Sequence, residues 1–150
     1  MLNRNIIYDN SQNDFFNDVL LNRFADSMQD AFLNATSFNG DISAWDVGSV
    51  TTLANMFRNA PNFNQNLGNL NVSNVTHMNR MFENASSFNQ DLSAWDVSNV
   101  SVMFQMFLNA TSFDQNLGQW DISNVTNLIG MFDGVTLSID NYDNTLIGWN

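Results

Sequence analysis

Residues 82–106 read FENASSFNQDLSAWDVSNVSVMFQM, and the stretches on either side repeat the same pattern. Residues 32–56 read FLNATSFNGDISAWDVGSVTTLANM, 57–81 read FRNAPNFNQNLGNLNVSNVTHMNRM, and 107–131 read FLNATSFDQNLGQWDISNVTNLIGM. The period is 25 residues with no insertion, so the chain can be read in columns. One holds Phe32, Phe57, Phe82, Phe107 and Phe132; others hold Phe38, Phe63, Phe88 and Phe113, or Val50, Val75, Val100 and Val125, or Met56, Met81, Met106 and Met131. A repeat this short cannot bury its own aromatic and aliphatic groups. Stacking neighbours covers them, and the expected architecture is a solenoid.

Within a repeat the apolar spacing changes. Leu92, Trp95, Val97 and Val100 follow L-x-x-L-x-L-x-x, and the alternation of Trp95 with Val97 predicts a short strand with both side chains inward. From Val100, through Met103, Met106, Phe107 and Ala110, apolar groups recur at three and four residues, which predicts a helix. Thr51, Thr76, Ser101 and Thr126 are placed to cap that helix. Asn34, Asn59, Asn84 and Asn109 stand where it should stop, in a residue type that tolerates the left-handed conformation. The expected fold class is therefore α/β: a leucine-rich-repeat-like solenoid with short parallel strands on one face and helices on the other, capped at both ends.

The expected organisation is one domain. Residues 1–31 form an N-terminal capping helix, since Phe16, Leu20, Phe24, Met28 and Phe32 make one helical stripe behind an N-cap signal at Ser11 and Asp14. Four repeats follow (32–56, 57–81, 82–106 and 107–131), then a C-terminal cap at 132–150 in which Tyr142, Leu146 and Trp149 form the apolar face of a closing helix.

Charge narrows the partners. A net charge of -11, with Arg4, Arg23, Arg58 and Arg80 as the basic residues, leaves no patch to neutralise a phosphate backbone, so nucleic acid and anionic membranes are poor candidates. Cysteine is absent, which removes disulfides and cysteine-based zinc sites. No apolar run approaches the length of a membrane span, and the first residues lack a signal-peptide pattern. The chain is accordingly expected to be soluble, without membrane insertion and without a leader or anchor of its own.

The recurring WDVSNV, intact at 95–100 and varied at 45–50, 70–75 and 120–125, is followed by a Met-Phe pair, an Asn-Ala step and FNQDL or FNQNL. With the closing NYDNTLIGW at 141–149, this resembles the BspA-like leucine-rich-repeat surface proteins, whose repeat also occurs in mycoplasmal lipoproteins. The resemblance implies display at the cell surface or outside the cell, adhesion to a host or matrix protein or another cell-surface ligand, and no catalytic residues.

Each candidate site has a structural counter-reading. Trp45, Trp95 and Trp120 could form a stacking platform for sugars, but their shared column makes them core, along with Phe57, Phe82 and Phe107. Ser49, Asn74, Asn99 and Asn124 suit a ladder of bonds to the backbone of the adjacent repeat. The N-x-S/T triplets follow from repetition. Asp46, Asn71, Asp96 and Asp121, with Ser73, Ser98 and Ser123 beside them, point outward from the strand as a small, polar, acidic face. This face is the candidate ligand site, and its counter-reading is that it keeps a long sheet soluble. Calcium is a third possibility for the same column, which lacks the converging oxygens such an ion prefers. His77 reads as a solvent-side helix residue, and no nucleophile-base pair or phosphate loop stands out. The expectation is a non-enzymatic binding module for adhesion or protein interaction, without cofactor or metal. The alternative is a structural or self-associating element with no dedicated ligand face, and the oligomeric state stays open.

Overall fold

The computed structural model describes residues 26–150. The repeats stack, each residue lying over its equivalent 25 positions on, and what joins them is a row of backbone hydrogen bonds. In the central coil the N–H groups of Met78, Arg80, Phe82 and Asn84 donate to the carbonyls of Val102, Phe104, Met106 and Leu108 at 2.8–3.1 Å. The same pattern runs from Met28 donating to Thr52 through to Asn109 donating to Asp133. Isolated parallel bridges link Ser27, Thr52, His77, Val102 and Asn127 in turn.

The expected α/β solenoid is not what forms. Among the described residues the α-helix is a single C-terminal element, α1 (Ile139–Gly148), and the pairing between coils is confined to those isolated bridges, with no sheet. Where a helix was expected over Val100 to Ala110, the chain makes consecutive tight turns: Met106 donates to Met103, Leu108 to Gln105, Ala110 to Phe107 and Phe113 to Ala110. Gln105 and Asn109 stand at φ 54° and 58°, which no right-handed helix accommodates. The intervening N–H groups, which a helix would direct along its own axis, go to the next coil instead. Apolar groups at intervals of three and four fit a run of four-residue turns as well as they fit a helix.

The expected strand is also made of turns. Trp95 donates to the Leu92 carbonyl at 3.1 Å and Val100 to Val97 at 2.8 Å, with Asp91 and Asp96 accepting from the backbone of Ser93 and Ser98. The segment is thus two five-residue turns in tandem, Asp-Leu-Ser-Ala-Trp and Asp-Val-Ser-Asn-Val. Trp95 and Val97 both lie inside because they flank the junction between the turns.

Left-handed residues fall in two columns. One holds Asp30, Asn55, Arg80, Gln105 and Gly130; the other holds Asn34, Asn59, Asn84, Asn109 and Gly134. The second forms a side-chain ladder: Asn59 donates through Nδ2 to Oδ1 of Asn34, Asn84 to Asn59 and Asn109 to Asn84, at 2.7–3.0 Å. The ladder stops at Gly134 (φ 74°), where a Cβ would run into Asn109 Oδ1. Another column, Asn39, Asn64, Asn89 and Asp114, accepts through Oδ1 from the backbone N–H of the following coil. Thr51, Thr76, Ser101 and Thr126 cap no helix. Their hydroxyls donate to the carbonyls of Asp26, Thr51, Thr76 and Ser101 in the preceding coil.

The core between these ladders is two stacks of phenylalanine rings. Phe32, Phe57, Phe82, Phe107 and Phe132 lie 5.2–5.8 Å apart along the stack. Phe38, Phe63, Phe88 and Phe113 lie 5.8–6.2 Å apart beside them. Phe57, Phe82 and Phe107 are wholly buried, as are the valine and methionine columns of the inner coils. Trp95 and Trp120 are buried and donate Nε1–H to the carbonyls of Leu67 and Leu92, both at 2.9 Å, while Trp45 is only partly buried. Trp95→Phe keeps most of the apolar volume but removes one of the two bonds to the Leu67 carbonyl, which still accepts from the Leu70 N–H within its turn. We expect a loss of about 1 kcal/mol, read as a lower midpoint in equilibrium denaturant unfolding.

The expected capping helix at 1–31 lies outside the described residues except for its end, where 26–35 is a set of turns pairing with the next coil. At the other end the closing helix exists but faces differently. Tyr142 and Leu146 are 53% and 48% exposed, and the inward groups are Thr145, which accepts from the Leu117 N–H through Oγ1, and Trp149, which donates to the Leu117 carbonyl. Thr145 occupies the tryptophan column, and Trp149, four residues on, brings the indole back into the core. Close approach of α1 to the coil beneath requires glycine on both sides, since a Cβ on Gly148 would overlap the backbone of Gly118.

Candidate interaction surface

The five-residue turns form one side of the stack, and their first residues point into solvent. Asp46, Asn71, Asp96 and Asp121 are all exposed, with Ala44, Asn69, Ala94 and Gln119 exposed before them. The acidic face foreseen on a strand is therefore an acidic row on turns. Each member accepts, through Oδ1, the backbone N–H two residues on: Gly48 on Asp46 at 3.0 Å, Ser73 on Asn71 at 3.2 Å, Ser98 on Asp96 at 3.1 Å and Ser123 on Asp121 at 3.0 Å. These are Asx turns, which use one side-chain oxygen to hold the turn. Ser73 and Ser98 add a hydroxyl bond to the same oxygen, at 2.7 and 2.6 Å. The row is fixed from the next coil too, because Asn74, Asn99 and Asn124 donate through Nδ2 to the carbonyls of Gly48, Ser73 and Ser98 at 2.7–2.8 Å. The asparagine ladder expected beside this face is thus observed.

A parallel row escaped the sequence reading. Asp41, Asn66, Asp91 and Asn116 make the same turn five residues earlier, each accepting from the backbone two positions on at 2.8–2.9 Å. The signal was present as an aspartate or asparagine recurring at intervals of five, masked by the apparent alternation of Trp95 and Val97.

Hydrogen bonds favour the ionised form of Asp41, Asp91, Asp96 and Asp121. The Ser98 hydroxyl and N–H hold the Asp96 carboxyl below the usual carboxylate range, against a small opposing push from the neighbouring charge of Asp121. The Ser123 N–H and hydroxyl do the same for Asp121, and those of Ser43 and Ser93 for Asp41 and Asp91. At the end of the stack, Asn141 and then Ser138 lower Asp114. A carboxyl depressed by folding stabilises the fold fully above its unfolded pKa of about 3.9, and that contribution disappears as pH falls through the lower folded value. The melting temperature should therefore be level in this respect above about pH 5 and fall from about pH 4 downward. Asp96→Asn with Asp121→Asn should flatten the fall, as measured by thermal melts from pH 3 to pH 6; an identical acid limb in this variant would remove these carboxyls from the cause.

Elsewhere, Glu83 is 7% exposed and lies between Arg58 and Arg80, with Nε–Oε2 separations of 2.9 and 3.4 Å. Arg80 also bonds Gln105 at 2.9 Å and lies over the Phe104 ring. This cluster ties successive coils on the side formed by the four-residue turns. His77 is exposed, pairs by its backbone with Thr52 and Val102, and has Nδ1 2.9 Å from the Thr76 hydroxyl. No group of three or more His, Cys, Asp or Glu able to hold a metal ion occurs among the described residues. No helix there is long and apolar enough to cross a membrane.

Residues 26–145 match a family model described as a Mycoplasma protein of unknown function, DUF285, and the chain belongs to that family. The matched span covers the stacked coils and most of α1. No curated protein and no solved structure matches the chain.

Proposed function

We propose that this protein is a non-enzymatic binding module that presents its acidic rows to a cationic surface on a protein partner. The observation that carries the reading is that Asp46, Asp96 and Asp121 are exposed while each spends one carboxylate oxygen on its own turn. The other oxygen is left toward solvent on a backbone held by the stack. Such a row is pre-organised, so little conformational freedom is lost on binding. The resemblance to BspA-like surface proteins supports adhesion to a host or matrix protein and display at the cell surface; the family to which the chain belongs is itself described as of unknown function.

The test separates charge from fold. Asn71 shows that asparagine makes the same turn at this position, so Asp46→Asn, Asp96→Asn and Asp121→Asn together remove the charge and keep the turns. Immobilised wild type and triple variant, confirmed to melt alike, are exposed to host-cell and matrix extracts. The reading expects a partner retained by the wild type, released by salt and lost by the variant. Equal retention by both would move the binding surface off these rows.

A further inference from the structure

The acidic row ends differently from the way it runs. Along the stack a carbonyl beside the row is closed by the next coil: Asn74, Asn99 and Asn124 donate through Nδ2 to the carbonyls of Gly48, Ser73 and Ser98, 26 positions back. By that rule the Ser123 carbonyl should receive from position 149, which is a tryptophan, and Trp149 sends its Nε1–H to the Leu117 carbonyl instead. The Ser123 carbonyl therefore accepts nothing among the described residues. The cause is α1, which takes the place of the turns that a further coil would lay over residues 118–123.

The exchange leaves a cavity of about 570 Å³ between the last turn and the end of the helix, with Asp121, Ile122, Ser123, Gly148 and Trp149 in its wall. Its size is that of a site for a small molecule or a single side chain. Three features of the wall favour a cation. Asp121 is exposed, is held ionised by the Ser123 N–H and hydroxyl, and spends Oδ1 on that N–H, which leaves its other oxygen toward solvent. The helix ends here, and a helix C-terminus carries partial negative charge. Trp149 is only partly buried, and indole is the side chain that holds a cation best. The chain has no lysine, and Arg58 and Arg80 are held at Glu83, so no basic side chain among the described residues fills the cavity.

We infer, on the reading that the acidic rows are the partner surface, that this cavity receives the guanidinium of an arginine side chain from the partner. One flat NH2 group takes the position of the missing ladder amide against the Ser123 carbonyl, the remaining N–H groups meet Asp121, and the plane lies on Trp149. A lysine ammonium is a compact point charge without that flat fork.

Titration of isotopically labelled protein with the peptide acetyl-Gly-Arg-Gly-amide, followed by NMR, tests the cavity without the partner. The amides of Ser123 and Gly148 and the Trp149 Nε1–H should shift together, while the amides of Gly48, Ser73 and Ser98 in the same row move much less. Citrulline in place of the peptide's arginine keeps the shape and loses the charge, and should weaken binding at least about tenfold. Asp121→Asn should weaken it to a similar degree, its turn surviving as it does at Asn71. A lysine peptide should bind more weakly than the arginine peptide. Shifts spread evenly along the row, equal binding of the arginine, lysine and citrulline peptides, or no shift at millimolar peptide would overturn the inference. Each of these results is compatible with a partner retained from extracts by the wild type and lost by the triple variant, so failure of the cavity and failure of the partner surface are read separately.

Discussion

Replacing Phe82 by alanine should cost about 3–5 kcal/mol of unfolding free energy, the largest effect expected of any single substitution in the stack. The ring is wholly buried, lies 3.9 Å from Phe88 within its coil, and is flanked by Phe57 at 5.7 Å and Phe107 at 5.5 Å above and below. Removing it opens a gap between two coils whose spacing is fixed by backbone bonds on both sides, Phe57 donating to Met81 and Phe82 to Met106. The walls therefore have little room to close, which places the cost toward the upper end of the range. Phe132→Ala, in the half-buried last coil, should cost clearly less. Denaturant unfolding of the two variants checks both numbers. Equal losses would mean that the coils collapse independently of their position in the stack.

The second large effect is expected at Asn84. Its backbone is left-handed at φ 59°, its Nδ2 donates to Asn59 and its Oδ1 accepts from Asn109. Valine there combines a β-branched side chain in a left-handed conformation, at about 1–2 kcal/mol, with two lost side-chain bonds at about 1 kcal/mol each. Asn84→Gly forfeits the bonds but relieves the backbone, so it should retain a substantial part of what valine loses. The difference between the two variants measures the backbone contribution directly. If they unfold at the same midpoint, the left-handed column is not a determinant of this fold.

The repeat, its period and its core columns were all legible in the sequence, because burial repeats with the chain and needs no knowledge of the backbone between. The outward asparagine ladder was legible for the same reason. The backbone itself was misread at two places. Met103, Met106, Phe107 and Ala110 have helical spacing, but four-residue turns return side chains to one side at nearly the same interval, so periodicity alone does not separate the two. The asparagine column carried the distinguishing signal. A left-handed residue was correctly foreseen at Asn109, but Gln105 four residues earlier is left-handed too, and no residue preference announces that. Trp95 and Val97 alternate as strand residues do because they meet at the junction of two five-residue turns.

The candidate surface was half legible. Asp46, Asn71, Asp96 and Asp121 were identified as outward-facing, yet on a strand they would have been free side chains. On turns they are structural as well, each holding the N–H two residues on. This double role explains why asparagine and aspartate share the column: the turn needs the side-chain oxygen, and only the charge distinguishes a surface able to attract a cationic partner. It also explains why the row at Asp41, Asn66, Asp91 and Asn116 went unseen, since nothing in a strand reading assigns those positions a common role.

The most direct test of this account is a scalar coupling across hydrogen bonds, measured by NMR on uniformly labelled protein, for the amides of Phe57, Phe82 and Phe107. The stacked-turn structure predicts that they couple to the carbonyls of Met81, Met106 and Met131, each in the following coil. Coupling of Phe107 to the carbonyl of Met103, four residues back in its own repeat, would restore the helix and contradict the account.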